Sequence, residues 1–430
     1  MGDILDLAER SWRGDIAPRE LWRPTGKQEE IAPGVLFLHT WANVTVIRTT
    51  AGLVLVDTGS YASRARTFAA VRAVDRRPVH AAVYTHGHVD HACGLPPFFE
   101  EAREQGWPAP IVVGHRNIAA RFDRYRRTAP WNGLINSRQF STAATWPTTY
   151  DYPDVIYDAT HRLEAGDLEL ELTHARGETD DHTWIWWPAR RILFTGDLFL
   201  WVAPNAGNPQ KVQRHAAEWA RALRAMAERP AELLVPGHGM PVFGAARVRQ
   251  ALEDTAEWLE TLEHETVARM NAGLTLDRIL AEVRPPAHLA ERPYLQAVYD
   301  EPEYVVRNVW RLYGGWWDGE PAHLKPARTA ELGREVAALA GGAEALAERA
   351  VALAEQGRYA LACHLVDWAA AAEPENVRVH AARARLYEAR ARMSDALMTR
   401  SIFDSTARES ASRAGRAQDP ASGPFHGRGG

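Results

Sequence analysis

The stretch HAAVYTHGHVDHACG (residues 80–94) limits what this chain can fold into more than any other. Its first half is an apolar run too short for a confident helix and reads as a buried strand. Its second half sets His86, His88, Asp90 and His91 at the end of that strand. The two-residue period of a strand points the imidazoles of His86 and His88 to one side, and Asp90 and His91 follow in the turn toward the next helix. Imidazole nitrogen and carboxylate oxygen bind Zn²⁺ at about 2 Å, and a tetrahedral ion takes three or four such ligands, so four in six residues can serve two ions. A polar turn with incidental histidines explains one His well and this constellation poorly. A metal site of this kind needs further ligands, which other strand ends must supply.

The surrounding pattern provides such strand ends. VLFLHTW, ANVTVIRTT and AGLVLVDTG (35–59) alternate β-branched and apolar residues and break at Asn43 and Gly52, as consecutive short strands do. Helical spacing follows over 62–75, the segment LPPFFEEAREQG opens a helix at its prolines, and PIVVGH (110–115) with the basic NIAARFDRYRR repeats the order. Strands return at LELELTHAR, HTWIWWP and RILFTGD (168–197), then a helix near 211–227 and the strand AELLVPGHG. Sheets with intervening helices predict a layered α/β unit over 1–244. Beyond it, 245–272 reads as one long helix and NVWRLYGGWWDGEP (308–321) as a Trp-rich connector within 245–327. The Ala-rich region 328–400 gives three helices broken at Gly357 and at Pro374 to Asn376, in the manner of helix hairpins with small residues facing each other. Residues 401–430, ending in Gly, Ser and Pro, read as a disordered tail.

Composition excludes several classes. A formal charge of −5 argues against a nucleic-acid partner, and no uncharged apolar run reaches membrane-spanning length. Two cysteines, Cys93 and Cys363, imply no disulfide framework. With no basic and apolar leader at the start, the expectation is a cytoplasmic protein. The sixteen tryptophans read mainly as core side chains, including Trp131, Trp201, Trp316 and Trp317, which would otherwise line an apolar tunnel. Cys93 reads as a small buried residue.

Candidate ligands outside the first motif stand at GETDDH (Glu178, His182), FTGD (Asp197) and PGHG (His238). In this order the motifs resemble the metallo-β-lactamase fold superfamily over 35–244, which implies a four-layer αββα fold. Most of its members carry histidine in a Gly-His-Thr sequence where this chain has Gly177, Glu178 and Thr179. A carboxylate there is what the alkyl sulfatase branch has. NGLINSRQF (132–140), residues 285–324 and the alanine-rich helices are also similar to that branch, the helices to its dimerisation domain. The branch typically has Glu where this chain has Asp197 and carries a further C-terminal lipid-binding-like domain.

Carried over by position, the resemblance implies His86, His88 and Glu178 on one zinc, Asp90, His91 and His238 on the other, and Asp197 bridging, with Asp90 and Asp197 the catalytic carboxylates. Two Zn²⁺ against three carboxylates leave one positive charge, which a bridging hydroxide would neutralise, and neighbouring cations bring that water's acidity toward neutral pH. For the anionic ester, the donors expected are Asn136 and Arg138, then Asn205, Asn208, Lys211 and Arg214 in PNAGNPQKVQR, with His115 at a strand end. The reading is a dinuclear zinc hydrolase of sulfate esters, a homodimer through its C-terminal helices. The competing readings are a hydrolase of uncharged esters, thioesters or lactones on the same site, and a non-catalytic scaffold held by structural metal.

Overall fold

The computed structural model describes residues 3–21 and 23–415. Two compact units emerge: residues 1–129 with 146–315, and residues 130–145 with 316–430.

The first unit holds two sheets. One runs in the order β1 (Gln28–Ala32), β2 (Val35–Leu38), β3 (Val44–Thr49), β4 (Gly52–Val56), β5 (Val79–Val83), β6 (Ile111–His115) and β7 (Val155–Tyr157). The strands β1 to β4 form an antiparallel meander. From β4 onward the pairing is parallel, with Val56 opposite Val83 and Ala81 opposite Ile111. The second sheet runs β13 (Val242–Phe243), β12 (Leu233–Pro236), β11 (Ile192–Gly196), β10 (Thr183–Trp187), β9 (Leu168–His174) and β8 (Thr160–Ala165), with β11 and β12 parallel.

Strand β4, GLVLV, is buried at every position because both faces of its sheet are covered. Val54 and Val56 point into the core between the sheets, beside Ile185, Leu193 and Phe194 of the second sheet. Leu53 and Leu55 point the other way, into a core shared with Val71, Phe98 and Phe122 of the helices Arg64–Val74, Pro96–Gln105 and Asn117–Arg127. On the far side of the second sheet lie the helices Ala216–Ala227 and Ala245–Asn271, whose Trp219, Leu223, Val248, Leu252 and Leu259 extend the same buried cluster across that sheet. The layers are therefore helix, sheet, sheet, helix, as the resemblance implied.

Two boundaries differ from the sequence reading. The helix Ala245–Asn271 and the residues up to 315 belong to the first unit, because the apolar face of that helix is buried in its core. The last helix, Leu397–Arg413, continues past 401, where a tail was expected; residues 416–430 of that expected tail lie outside the described residues.

The second unit packs the helices Thr329–Ala340, Ala343–Glu355, Tyr359–Ala372, Val377–Arg392 and Leu397–Arg413 around Leu346, Ala350, Val366, Ala369, Val379 and Leu386. The expected breaks at Gly357 and at Pro374 to Asn376 both occur, and Asn376 caps its helix by accepting from the amides of Arg378 and Val379. Among the described residues no helix is long and apolar enough to cross a membrane.

Candidate metal centre

The carboxyl ends of β4, β5, β11 and β12 open at one edge of the sandwich, where open α/β sheets commonly place their ligands. His86, His88, Asp90 and His91 follow β5, Asp197 follows β11, His238 follows β12, and Glu178 sits in the connection from β9 to β10. All seven residues expected from the sequence converge here. They fall into two groups, His86, His88, Glu178 and Asp197, then Asp90, His91 and His238.

In the first group His86 Nε2 lies 2.8 Å from His88 Nδ1 and 3.7 Å from Asp197 Oδ2, and His88 Nδ1 lies 3.7 Å from Glu178 Oε2. In the second, His91 Nε2 is 3.2 Å from His238 Nε2, and His238 Nε2 is 3.6 Å from Asp90 Oδ2. Asp197 reaches both, with Oδ1 at 3.3 Å from His91 Nε2 and Oδ2 at 3.5 Å from His238 Nε2. Ligands at about 2 Å from a tetrahedral ion stand roughly 3.3 Å apart, so these spacings suit two cations with Asp197 between them.

Bonds on the far side orient three of the four rings. Asp57 Oδ2, at 2.7 Å, accepts from Nδ1 of His91. The Thr85 hydroxyl donates to Asp57 at 2.8 Å and so accepts from Nδ1 of His86 at 3.0 Å. His238 Nδ1 donates to the carbonyl of Trp41. In each case Nε2 is left to face the cluster, where it would release any proton it carries and take a metal ion. His182, fully buried, stacks on His86 with ring centroids 4.5 Å apart.

Electrostatics point the same way. Burial holds His86 and His88 well below the ordinary imidazole value, so both are neutral ligands. Burial opposes charge on His91 too, but Asp197, Asp57 and Asp90 around it raise it well above that value; His238 is raised by Asp197. Protons on these two rings thus supply, in the metal-free chain, the positive charge the carboxylates require. Burial lifts Glu178 to about 7 against the pull of Arg214. Its Oε2 and Asp197 Oδ1 are buried without a hydrogen-bond partner, as oxygens waiting for a cation would be. The donor set fits two divalent ions.

The expected substrate donors divide differently. Arg214, 2% exposed, places Nη1 at 2.6 Å from Glu178 Oε1 and donates to the Glu178 carbonyl at 2.7 Å, while Asn205 Nδ2 donates to the same Oε1 at 2.5 Å. Both are spent on aiming Glu178. Asn208 accepts from the Gln210 amide and its own amide binds Asp300. Lys211 forms no ion pair within reach among the described residues; its ammonium lies 5.7 Å from the ring centroid of Trp146, near Asp90 and Glu178, and burial pushes it down to about 8. His115 is a correction: its Nε2 donates to the Asp158 carbonyl, its Nδ1 accepts from the Asn117 amide, and its ring stacks on His174 at 3.6 Å, so neither nitrogen is left for a substrate. Asn136 and Arg138 lie on the helix Ala129–Phe140, within the segment assigned to the second unit, where Asn136 donates to the Asn132 carbonyl.

Sequence reasoning missed Asp57, and also Asp181, whose Oδ2 accepts from the Gly87 amide between the two histidines at 3.1 Å and pairs with Arg121 at 2.6 Å. An acidic residue closing a buried strand, as in LVLVDTG, is the signal that could have found Asp57. Trp201 is core, donating to the Met240 carbonyl, whereas Trp131 and Trp316 are exposed. Cys93 is buried, as expected.

Comparison with known proteins gives two family matches: residues 42–238 match the metallo-beta-lactamase superfamily and residues 275–413 match alkyl sulfatase dimerisation. An (R)-specific secondary-alkylsulfatase of Pseudomonas sp. is 29% identical over 396 residues, covering 86% of this chain and 60% of that protein. A linear primary-alkylsulfatase, also of Pseudomonas, is 28% identical over 313 residues, covering 68% of this chain and 59% of that protein. The chain thus spans about three fifths of the length of these relatives. Among solved structures, the stereoselective inverting sec-alkylsulfatase Pisa1 from Pseudomonas sp. superposes with a TM-score of 0.78 at 26% identity, covering 91% of this chain and 66% of that one.

Proposed function

We propose, for a chain that joins a metallo-beta-lactamase superfamily domain over residues 42–238 to an alkyl sulfatase dimerisation domain over 275–413, the hydrolysis of alkyl sulfate esters with two Zn²⁺. Its relatives' names support the reaction class, and the ligand set supports the metals. The observation that carries the choice of an anionic over a neutral ester is Lys211, an ammonium beside the cluster with no carboxylate in ion-pair contact among the described residues. A partly buried cation without a counter-ion in contact with it is held at some cost, and a sulfate group would supply the counter-charge.

When bound, the two cations supply an activated water at neutral pH and offset the ester's negative charge. The chain's own residues do the rest. Asp90, whose side chain is 24% exposed, is the carboxylate placed to accept the water's proton. Lys211 holds the sulfate and stabilises the charge on it as it leaves. Arg214 and Asn205 keep Glu178 aimed at the histidines. The structural relative is described as inverting, and inversion at a carbinol carbon requires attack at carbon with C–O cleavage. The same course here would place ¹⁸O from labelled water in the alcohol and none in the sulfate.

One preparation tests the reading: metal content by elemental measurement, then sulfate release from dodecyl sulfate beside a panel of carboxylic esters, thioesters and lactones. Two zinc equivalents and sulfate release without ester turnover are expected, with Glu178→Ala and His88→Ala losing both metal and activity. Turnover of neutral esters alone would assign the site to the second class of hydrolase. Metal bound with no turnover of any of these substrates would point to a scaffold. A homodimer formed through the helical region belongs to the same proposal and is checked by light scattering.

A further inference from the structure

The loop that aims Glu178 is itself held from a distant part of the sequence, and we infer that Asp300 is the positioning residue that sets it. Asp300 is 1% exposed and buried beneath residues 205–208. Its Oδ2 accepts from the amides of Gly207 at 2.8 Å and Asn208 at 3.1 Å, and its Oδ1 accepts from the Glu301 amide at 3.0 Å. From the helix Pro302–Gly314, Asn308 adds two bonds, donating Nδ2 to the carbonyls of Ala206 at 2.8 Å and Arg214 at 3.0 Å. The Gln296 carbonyl takes the Ala203 amide at 3.0 Å.

The approach is close. A Cβ on Gly207 would stand 2.3 Å from the Tyr304 carbonyl carbon and 2.4 Å from the Val305 nitrogen, so only glycine lets the loop lie on the first turn of that helix. Every residue from 203 to 208 is buried, and Asn205 and Arg214 leave this clasped stretch to grip Glu178 Oε1. A carboxylate accepting three amides fixes backbone more firmly than a neutral acceptor would. Through two intermediates, Asp300 fixes which way Glu178 Oε2 faces. Residues 296–308 fall within the match to the dimerisation family yet belong to the first unit, so that stretch carries part of the site's architecture.

The part concerning cations rests on the metal site proposed above; the part concerning the loop does not. Hydrogen exchange on the full chain and Zn²⁺ titration against a chelating dye separate them. Asp300→Ala is expected to speed amide exchange over residues 203–214 at least about tenfold and to weaken one of two Zn²⁺ equivalents about 10- to 100-fold. Asp300→Asn, which keeps the side chain's volume and one acceptor oxygen for the loop amides, should fall between it and the parent chain. Asp254→Asn, which removes a different, partly buried carboxylate bonded to Tyr294 and Arg292, is the control for general destabilisation and should leave 203–214 unchanged. Unaltered loop exchange in both folded Asp300 variants would overturn the inference, whatever their zinc affinity. A parent chain that takes up no Zn²⁺ would end the metal proposal and leave the exchange result to decide the role of Asp300.

Discussion

Asp57 holds the site from behind at a single residue. Its φ of 55° is a conformation most side chains avoid, and it is kept there by a carboxylate that takes the Thr85 amide and hydroxyl and the His91 ring. Asparagine tolerates the same backbone, so Asp57→Asn tests the charge and not the turn. Weaker binding of one Zn²⁺ by about 10- to 100-fold is expected, measured by dye competition, with little change in the unfolding midpoint. Lys211 offers the second test. Because burial brings it down to about 8, its charge is present below that pH and lost above it. The neighbouring Arg214 pushes the same way, Asp90 and Glu178 push back, and bound cations would lower it further. KM for an alkyl sulfate should therefore rise as pH passes 8 or somewhat below. Lys211→Met should raise KM about 10- to 100-fold at neutral pH and remove that inflection, with kcat/KM against pH as the measurement. The seven clustered residues were legible because each stands in a motif at a strand end. The direction of Arg214 and Asn205 was not, since a sequence shows that a donor exists and not which acceptor it meets.

Strands covered on both faces were the plainest elements, because GLVLV is a continuous apolar run between turn residues and VHAAV is broken only at His80. The strand Thr160–Ala165 is half exposed and mostly polar, and its existence depends on pairing with the strand beside it. The helix Leu397–Arg413 was missed for a different reason: Ser401 and Ser410 on its inner face are 1% and 0% exposed, and Ser410 takes a hydrogen bond from Arg383. Small polar residues can bury a helix face without leaving an apolar stripe to read. Small residues also set the helix spacing in this unit. A Cβ on Gly333 would come within 2.5 Å of the Trp368 carbonyl, so the helices Thr329–Ala340 and Tyr359–Ala372 touch backbone to backbone. Gly333→Val should force them apart at a cost of about 1–3 kcal/mol, read as faster amide exchange over 329–372 in the full chain. Parent-like protection there would show that the contact yields without cost.

For the whole molecule, the two ligand groups draw on both sheets of the first unit: residues 86–91 follow a strand of one, and Asp197 and His238 follow strands of the other. Connections from both sheets meet there, with Asn43 donating to the carbonyls of Pro236 at 3.0 Å and Gly239 at 2.8 Å. Cations at this edge would tie the sheets together through side chains, in addition to the apolar core between them. Because folding gathers the ligands and unfolding scatters them, a metal that binds the folded chain stabilises it by about 2.7 kcal/mol at a hundred times its Kd and about 4.1 kcal/mol at a thousand times. Stripping with a chelator should lower Tm, and adding Zn²⁺ should restore it in proportion to the logarithm of the free concentration. The loss should be local as well as global, with exchange rising at 84–91, 177–182, 196–198 and 236–239 before it rises in the strands, and with the helices from 329 to 413 as the internal reference. The histidines give the experiment a sign in pH. In the stripped chain His91 and His238 bind protons more tightly than ordinary histidines, so protonation favours its fold at low pH and that contribution fades as pH rises through their elevated range. Zinc competes with those protons, so its stabilising effect should grow with pH over the same interval. A Tm indifferent to chelator and to zinc from pH 6 to 9 would contradict a metal-held edge.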